Sequence, residues 1–196
     1  MTYRLDDYTA DALGMIEAVA LGRPVILGHS MGARIAIRLA ATHPGSTTAL
    51  ILADPPLTGP GRRPYPTPLE SYLTAHAAAS RGATIDEFRL LNPTWSDEQI
   101  ALRLEWLPTC DVEAIAQTYA YFHSEDIHTD IANIACPALL IRAANAHVVT
   151  PEDAAEVVTL LKNGAVEEVA AGHMIPWENL PGFLEPIERF LESRNM

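Results

Sequence analysis

Gly28-His29-Ser30-Met31-Gly32 is a G-x-S-x-G pentapeptide between the apolar run Val25-Ile26-Leu27 and a stretch of small and apolar residues from Ala33 to Thr42. A strand that enters such a turn and leaves it as a helix holds its central serine on a sharp corner, above the carboxyl end of a sheet. So tight a turn predicts that Gly28 and Gly32 both have to lack side chains. It also places the backbone N–H of Met31 at a helix start, facing charge that develops on a substrate oxygen. A serine hydroxyl is a weak nucleophile unaided. It needs a base, and the base needs an orienting carboxylate.

Seven histidines could serve as the base. His29 lies in the turn itself, His43 at a helix end, His76, His123 and His128 in the middle of the chain, and His147 after a later strand. His173, in Ala171-Gly172-His173-Met174, follows the last apolar run and precedes the last helix, which in a parallel sheet puts it on the rim that carries Ser30. His173 is therefore the expected base, and His123 is either a helix-packing histidine or part of a pocket wall. For the acid, the loop 142–147 has no carboxylate before Glu152, whereas Asp54 directly follows the run 49–52 and is stiffened by Pro55-Pro56. Asp54 is the expected acid.

The elements that must position these residues follow from periodicity. Apolar spacing predicts a helix over 6–20, a buried strand over 25–27, a helix over 33–42 and a second buried strand over 49–52, a β–α–β unit of a parallel sheet. Six of the 15 prolines then fall between Pro55 and Pro68. Beyond them come helix-compatible segments at 69–80, 85–91, 97–107 and 112–123 with no strand between. Alternation resumes with a strand at 138–141, a helix at 151–161, a strand at 165–169 and a helix at 180–193. The fold class expected is α/β: four parallel strands with flanking helices, a core part over 1–58, a helical lid over 59–128 and a second core part over 129–196.

The order Ser30, Asp54, His173 on such a sheet resembles the α/β-hydrolase family. The resemblance extends through Asp54-Pro55-Pro56, Gly59-Pro60-Gly61-Arg62-Arg63, Thr94-Trp95-Ser96-Asp97-Glu98-Gln99, Glu105-Trp106-Leu107, Phe122-His123 with Asp126-Ile127-His128, and Gly172-His173-Met174-Ile175-Pro176-Trp177. These segments are similar to a branch of the family that removes an N-formyl group in bacterial nicotinate degradation, and they span nearly the whole chain. In that branch, too, the acid follows the strand after the nucleophile helix. What the resemblance implies is hydrolysis of an N-formyl amide of a small anionic substrate, without cofactor or metal. A carboxylesterase or a C–C hydrolase would use the same triad. The family's core also has about four strands ahead of the segment with which this chain opens, one of them followed by a loop that completes the oxyanion hole. On that comparison Met31 N–H is the single main-chain donor expected. The strand at 25–27 is expected to be an edge that invites pairing into a homo-oligomer. An inactive, truncated fragment is the reading from a different class.

Composition narrows the partners. Thirteen Lys+Arg against 25 Asp+Glu give a net charge of −12, which disfavours nucleic acid and anionic membranes. A small-molecule substrate is expected. No run approaches the ~18 apolar residues of a membrane span, no leader is recognisable, and Cys110 and Cys136 lie far apart, so a cytoplasmic location without disulfides is expected. There is no H-E-x-x-H and no Cys/His cluster at ligand spacing. An acidic protein that binds a carboxylate needs local cations. The stretch 59–128 offers Arg62, Arg63, Arg81, Arg89 and Arg103 among ten acids, and Arg62 and Arg63, at the lid entry, are the expected clamp. Trp95 and Trp106 read as core, and Trp177, four residues after His173, as a wall of the pocket.

Overall fold

The computed structural model describes residues 2–196. Helix α1 (Leu5–Ala18) leads into β1 (Val25–His29), α2 (Met31–Thr42) and β2 (Ala49–Ala53). The lid helices follow as α3 (Leu69–Ser80), α4 (Ile85–Arg89), α5 (Asp97–Trp106) and α6 (Val112–Ser124), with a 3-10 turn at Leu107–Thr109. The chain ends with α7 (His128–Asn133), β3 (Ala138–Ala143), α8 (Pro151–Leu160), β4 (Gly164–Val169), α9 (Ile175–Glu178) and α10 (Leu180–Glu192). All strand pairs are parallel and the order is β1-β2-β3-β4.

β2 shows why continuous apolar runs mark this kind of strand. All five of its residues are buried. Leu50 and Leu52 point into one core with α2, α7 and α8, while Ala49, Ile51 and Ala53 point into the other with Phe183, Ile187 and Phe190 of α10. The period-2 alternation of a strand thus serves two apolar layers. β1 is at the sheet edge, with Val25 38% and Leu27 49% exposed. No helix of the described residues is long and apolar enough to cross a membrane.

The lid has a small core of its own, with Phe88, Ile100, Leu107 and Ala79 buried together. Thr84 and Ser96 each accept the N–H of the residue three on, Glu87 and Gln99, which close capping boxes on α4 and α5. The chain rejoins the main core at Ile127: Ile127, Ile131 and Ile134 are all fully buried in the layer that holds α2. Periodicity did not reveal α7, because six residues are too few to display a helical repeat.

Candidate active site

The register sets the site. His29 lies opposite Ala53 and Ala143 opposite Val169, so the residues that follow β1, β2 and β4 emerge at one edge of the sheet. Ser30, between β1 and α2, adopts φ 53° and ψ −118°, a left-handed region that costs a non-glycine residue about 1–3 kcal/mol. Its N–H donates to Ala53 O at 2.8 Å, which ties the corner to the end of β2. A side chain at Gly28 would place its Cβ 2.4 Å from the carbonyl oxygen of Gly32, so only glycine fits there. A Cβ at Gly32 would meet nothing within 4 Å. The requirement therefore falls on Gly28 alone, since the crowding occurs against the Gly32 backbone and not against its α-hydrogens.

Asp54 is fully buried, also at positive φ (46°), and its N–H donates to Ile141 O. Each carboxylate oxygen has a separate donor: Oδ1 accepts the N–H of Ala143 at 3.2 Å and Oδ2 accepts Nδ1–H of His173 at 2.7 Å. The other ring nitrogen of His173, Nε2, stands 2.9 Å from Ser30 Oγ, within hydrogen-bonding reach. The loop that carries His173 is fixed from two sides. Glu178 of α9 accepts the N–H of Gly172 at 2.8 Å, and His29 Nε2–H donates to the carbonyl of His173 at 2.7 Å. His29 occupies the variable position of the pentapeptide, so the motif gives no hint of this role. Met31 opens α2, where an N–H has no intrahelical acceptor, and it lines the same cavity as Ser30 and His173.

That cavity is about 750 Å³ and mostly apolar, and Tyr8, Tyr65, Tyr72 and Tyr119 lie around it. Tyr72 O–H donates to the Tyr65 oxygen at 3.2 Å, and burial pushes the Tyr65 phenol well above the usual tyrosine range.

The structure moves four of the expected binding residues elsewhere. Arg62 forms a two-pronged ion pair with Glu156 of α8 at 2.7 and 2.8 Å. Arg63 is held by Asp153 and by the carbonyls of His147 and Val148. Neither lines the cavity: both close the lid entry onto α8, a use of their charge that competes with any clamp. His123 stands behind the wall, not in it. Its Nε2 accepts the N–H of Tyr65 at 3.1 Å and its Nδ1–H donates to Tyr119 O at 3.1 Å. Trp177 packs edge-on against Trp95 with ring centroids 4.9 Å apart, and its carbonyl accepts from Gln99 Nε2. It joins lid to core outside the cavity.

Burial holds the His29 imidazole below its ordinary pKa of 6.5, a trend that the carbonyl of His173 opposes, and burial does the same to His128. A histidine that binds protons less readily folded than unfolded contributes stability that is complete above about pH 6.5 and is lost as the pH falls further. Denaturant midpoints at about pH 7.5 and about pH 5 are expected to fall with acidification, and the fall is expected to shrink in His29→Gln. An unchanged pH dependence in that variant would assign the effect to other groups.

A parallel sheet, a strained serine corner and a serine–histidine–aspartate chain at one sheet edge are the marks of a known class, and the chain belongs to the Alpha/beta hydrolase family, whose profile matches residues 2–190. It is a hydrolase of that fold. N-formylmaleamate deformylase of Pseudomonas putida is 43% identical over 193 residues, 98% of this chain and 72% of that protein. The solved structure of the N-formylmaleamic acid deformylase of Pseudomonas putida S16, a serine-to-alanine variant, superposes with a TM-score of 0.91 at 44% identity and covers 96% of this chain and 74% of that one. The structure of E-2-(acetamidomethylene)succinate hydrolase matches with a TM-score of 0.74 at 21% identity, covering 98% of this chain and 75% of that one, a likeness of fold.

Proposed function

We propose that this hydrolase is a serine enzyme that cleaves the N-formyl amide bond of N-formylmaleamate, giving maleamate and formate. The observation that carries the reading is the continuous path from Ser30 Oγ to His173 Nε2 (2.9 Å) and from His173 Nδ1 to buried Asp54 (2.7 Å). The substrate is taken from the deformylase that is 43% identical across almost the whole chain.

In this reading His173 Nε2 takes the proton as Ser30 Oγ attacks the formyl carbon. Asp54 stabilises the imidazolium and holds the tautomer that leaves Nε2 unprotonated beforehand. The oxyanion forms beside Met31 N–H. Its collapse breaks the C–N bond, the imidazolium returns its proton to the departing amide nitrogen, and maleamate leaves. Water then attacks the formyl ester with His173 again as base, and formate departs as Ser30 regains its proton. The cavity's mostly apolar lining lowers the local dielectric and so strengthens the charge interactions within it.

Comparative turnover tests this reading. N-formylmaleamate is expected to be hydrolysed with a kcat/KM at least about a hundredfold above that for p-nitrophenyl acetate, because the few polar groups of a mostly apolar site are left unpaired by a substrate that cannot meet them. A faster ester than N-formyl amide would favour a carboxylesterase. No turnover of either, with no fluorophosphonate labelling of folded protein, would favour a non-catalytic chain.

A further inference from the structure

The chain has twelve arginines and one lysine. Five arginines fall in 59–128, and four of these meet carboxylates: Arg62 with Glu156, Arg63 with Asp153, Arg81 with Glu87 and Arg89 with Asp97. The fifth, Arg103 on α5, meets none. It is the one arginine among the described residues whose guanidinium enters neither an ion pair nor a hydrogen bond, although the chain carries 25 acids. It is also the arginine that lines the cavity shared by Ser30 and His173, at the wall where that cavity adjoins a second one beneath α3 and α5. The side chain is only partly exposed. A guanidinium on the wall of a mostly apolar cavity with no carboxylate beside it is open to a bound anion.

Three acids line the two cavities, and Glu70 of α3 sits beside Thr74 Oγ1 (3.5 Å) without meeting Arg103. Asp111 lines the same cavity, but its Oδ1 accepts the N–H groups of Glu113 and Ala114 at the start of α6. Glu178, beside the second cavity, accepts the N–H of Gly172. Neither pairs with Arg103. The planar guanidinium fork matches a carboxylate through two parallel N–H···O bonds, which an ammonium cannot reproduce.

We infer that Arg103 binds the carboxylate of the anionic substrate while the N-acyl end meets Ser30, and so sets the preference for a negatively charged amide. This rests on the reading given under the proposed function. Arg103 does the work that the spacing of the sequence assigned to Arg62 and Arg63.

The test compares wild type with Arg103→Met and Arg103→Lys. Steady-state kinetics on N-formylmaleamate and on p-nitrophenyl acetate are combined with calorimetric titration of maleamate, an anion without the scissile formyl group. Arg103→Met is expected to lower kcat/KM for N-formylmaleamate roughly tenfold to a hundredfold, mainly through KM, as loss of a charge-assisted pair does. That loss is expected to exceed the loss on the ester by about tenfold or more, lysine is expected to restore part of it, and maleamate affinity is expected to fall in parallel. Equal losses on both substrates would overturn the inference. So would maleamate binding that is the same in wild type and Arg103→Met, or absent from wild type. A wild type that binds maleamate through Arg103 but does not release formate would remove the deformylase reading and leave this one standing.

Discussion

Ser30→Ala is expected to abolish formate release, with kcat lower by about 10⁴- to 10⁶-fold, because residues that act as one unit lose nearly all of their joint effect when any one is removed. Asp54→Asn is expected to cost about 10⁴-fold, although the shape barely changes. The reason lies in the two oxygens of Asp54. Oδ1 accepts from Ala143 N–H and Oδ2 from His173 Nδ1–H, whereas asparagine has one acceptor and one donor in the same place. If its oxygen faces His173, its NH₂ is driven against the N–H of Ala143. If it turns over, the NH₂ faces His173 and favours the tautomer whose proton is on Nε2, which can no longer take the serine proton. Single-turnover formate release and fluorophosphonate labelling measure both effects, and an unchanged midpoint of thermal unfolding separates chemistry from folding for Ser30→Ala. More than about 1% residual activity in Ser30→Ala would leave the serine mechanism without its nucleophile.

That Ser30, Asp54 and His173 meet at one edge of the sheet is legible in the sequence because their positions depend on the chain's local grammar. Each follows a short apolar run that could only be a covered strand, and parallel strands put all their carboxyl ends on one side. Which side chains line the cavity depends on partners that no local pattern records. Arg62 and Arg63 sit close along the chain to the rim, yet Glu156 and Asp153, some ninety residues further on, meet them first. His123 and Trp177 are adjacent in sequence to residues that matter, but helix geometry turns them to other tasks. The bond from His29 to the His173 carbonyl is illegible for the opposite reason: inside a motif, its position is by definition the variable one. The helix α7 was hidden by its shortness, and Arg34 by its company, since it is a single charge among Ala33, Ile35, Ala36 and Ile37.

Arg34 is expected to be the residue whose loss most damages the fold. It is 1% exposed, and its guanidinium donates to the carbonyls of Pro56 at 2.7 Å, Thr58 at 3.1 Å and Glu125 at 3.1 Å. The Phe122 ring lies 5.2 Å from its central carbon. No carboxylate oxygen bonds to it, and burial draws its pKa down to about 10, still high enough to keep it charged at neutral pH. One side chain on α2, the helix that follows Ser30, thus ties together both ends of the lid, where the chain leaves β2 and where it returns from α6. Arg34→Met has similar length but strands three buried carbonyls at about 1–3 kcal/mol each, a loss of roughly 3–5 kcal/mol in all once the surroundings relax. In a chain of this size that lowers the unfolding midpoint by roughly 6–20 °C. Arg34→Lys keeps the charge but offers a compact, strongly hydrated ammonium that cannot span three acceptors, so it is expected to recover less than half of the loss. Calorimetric unfolding of the three proteins checks this. A Met variant within about 1 kcal/mol of wild type would mean that water enters and satisfies those carbonyls, and that the lid is anchored by its apolar contacts with Ile127 and Leu57 instead.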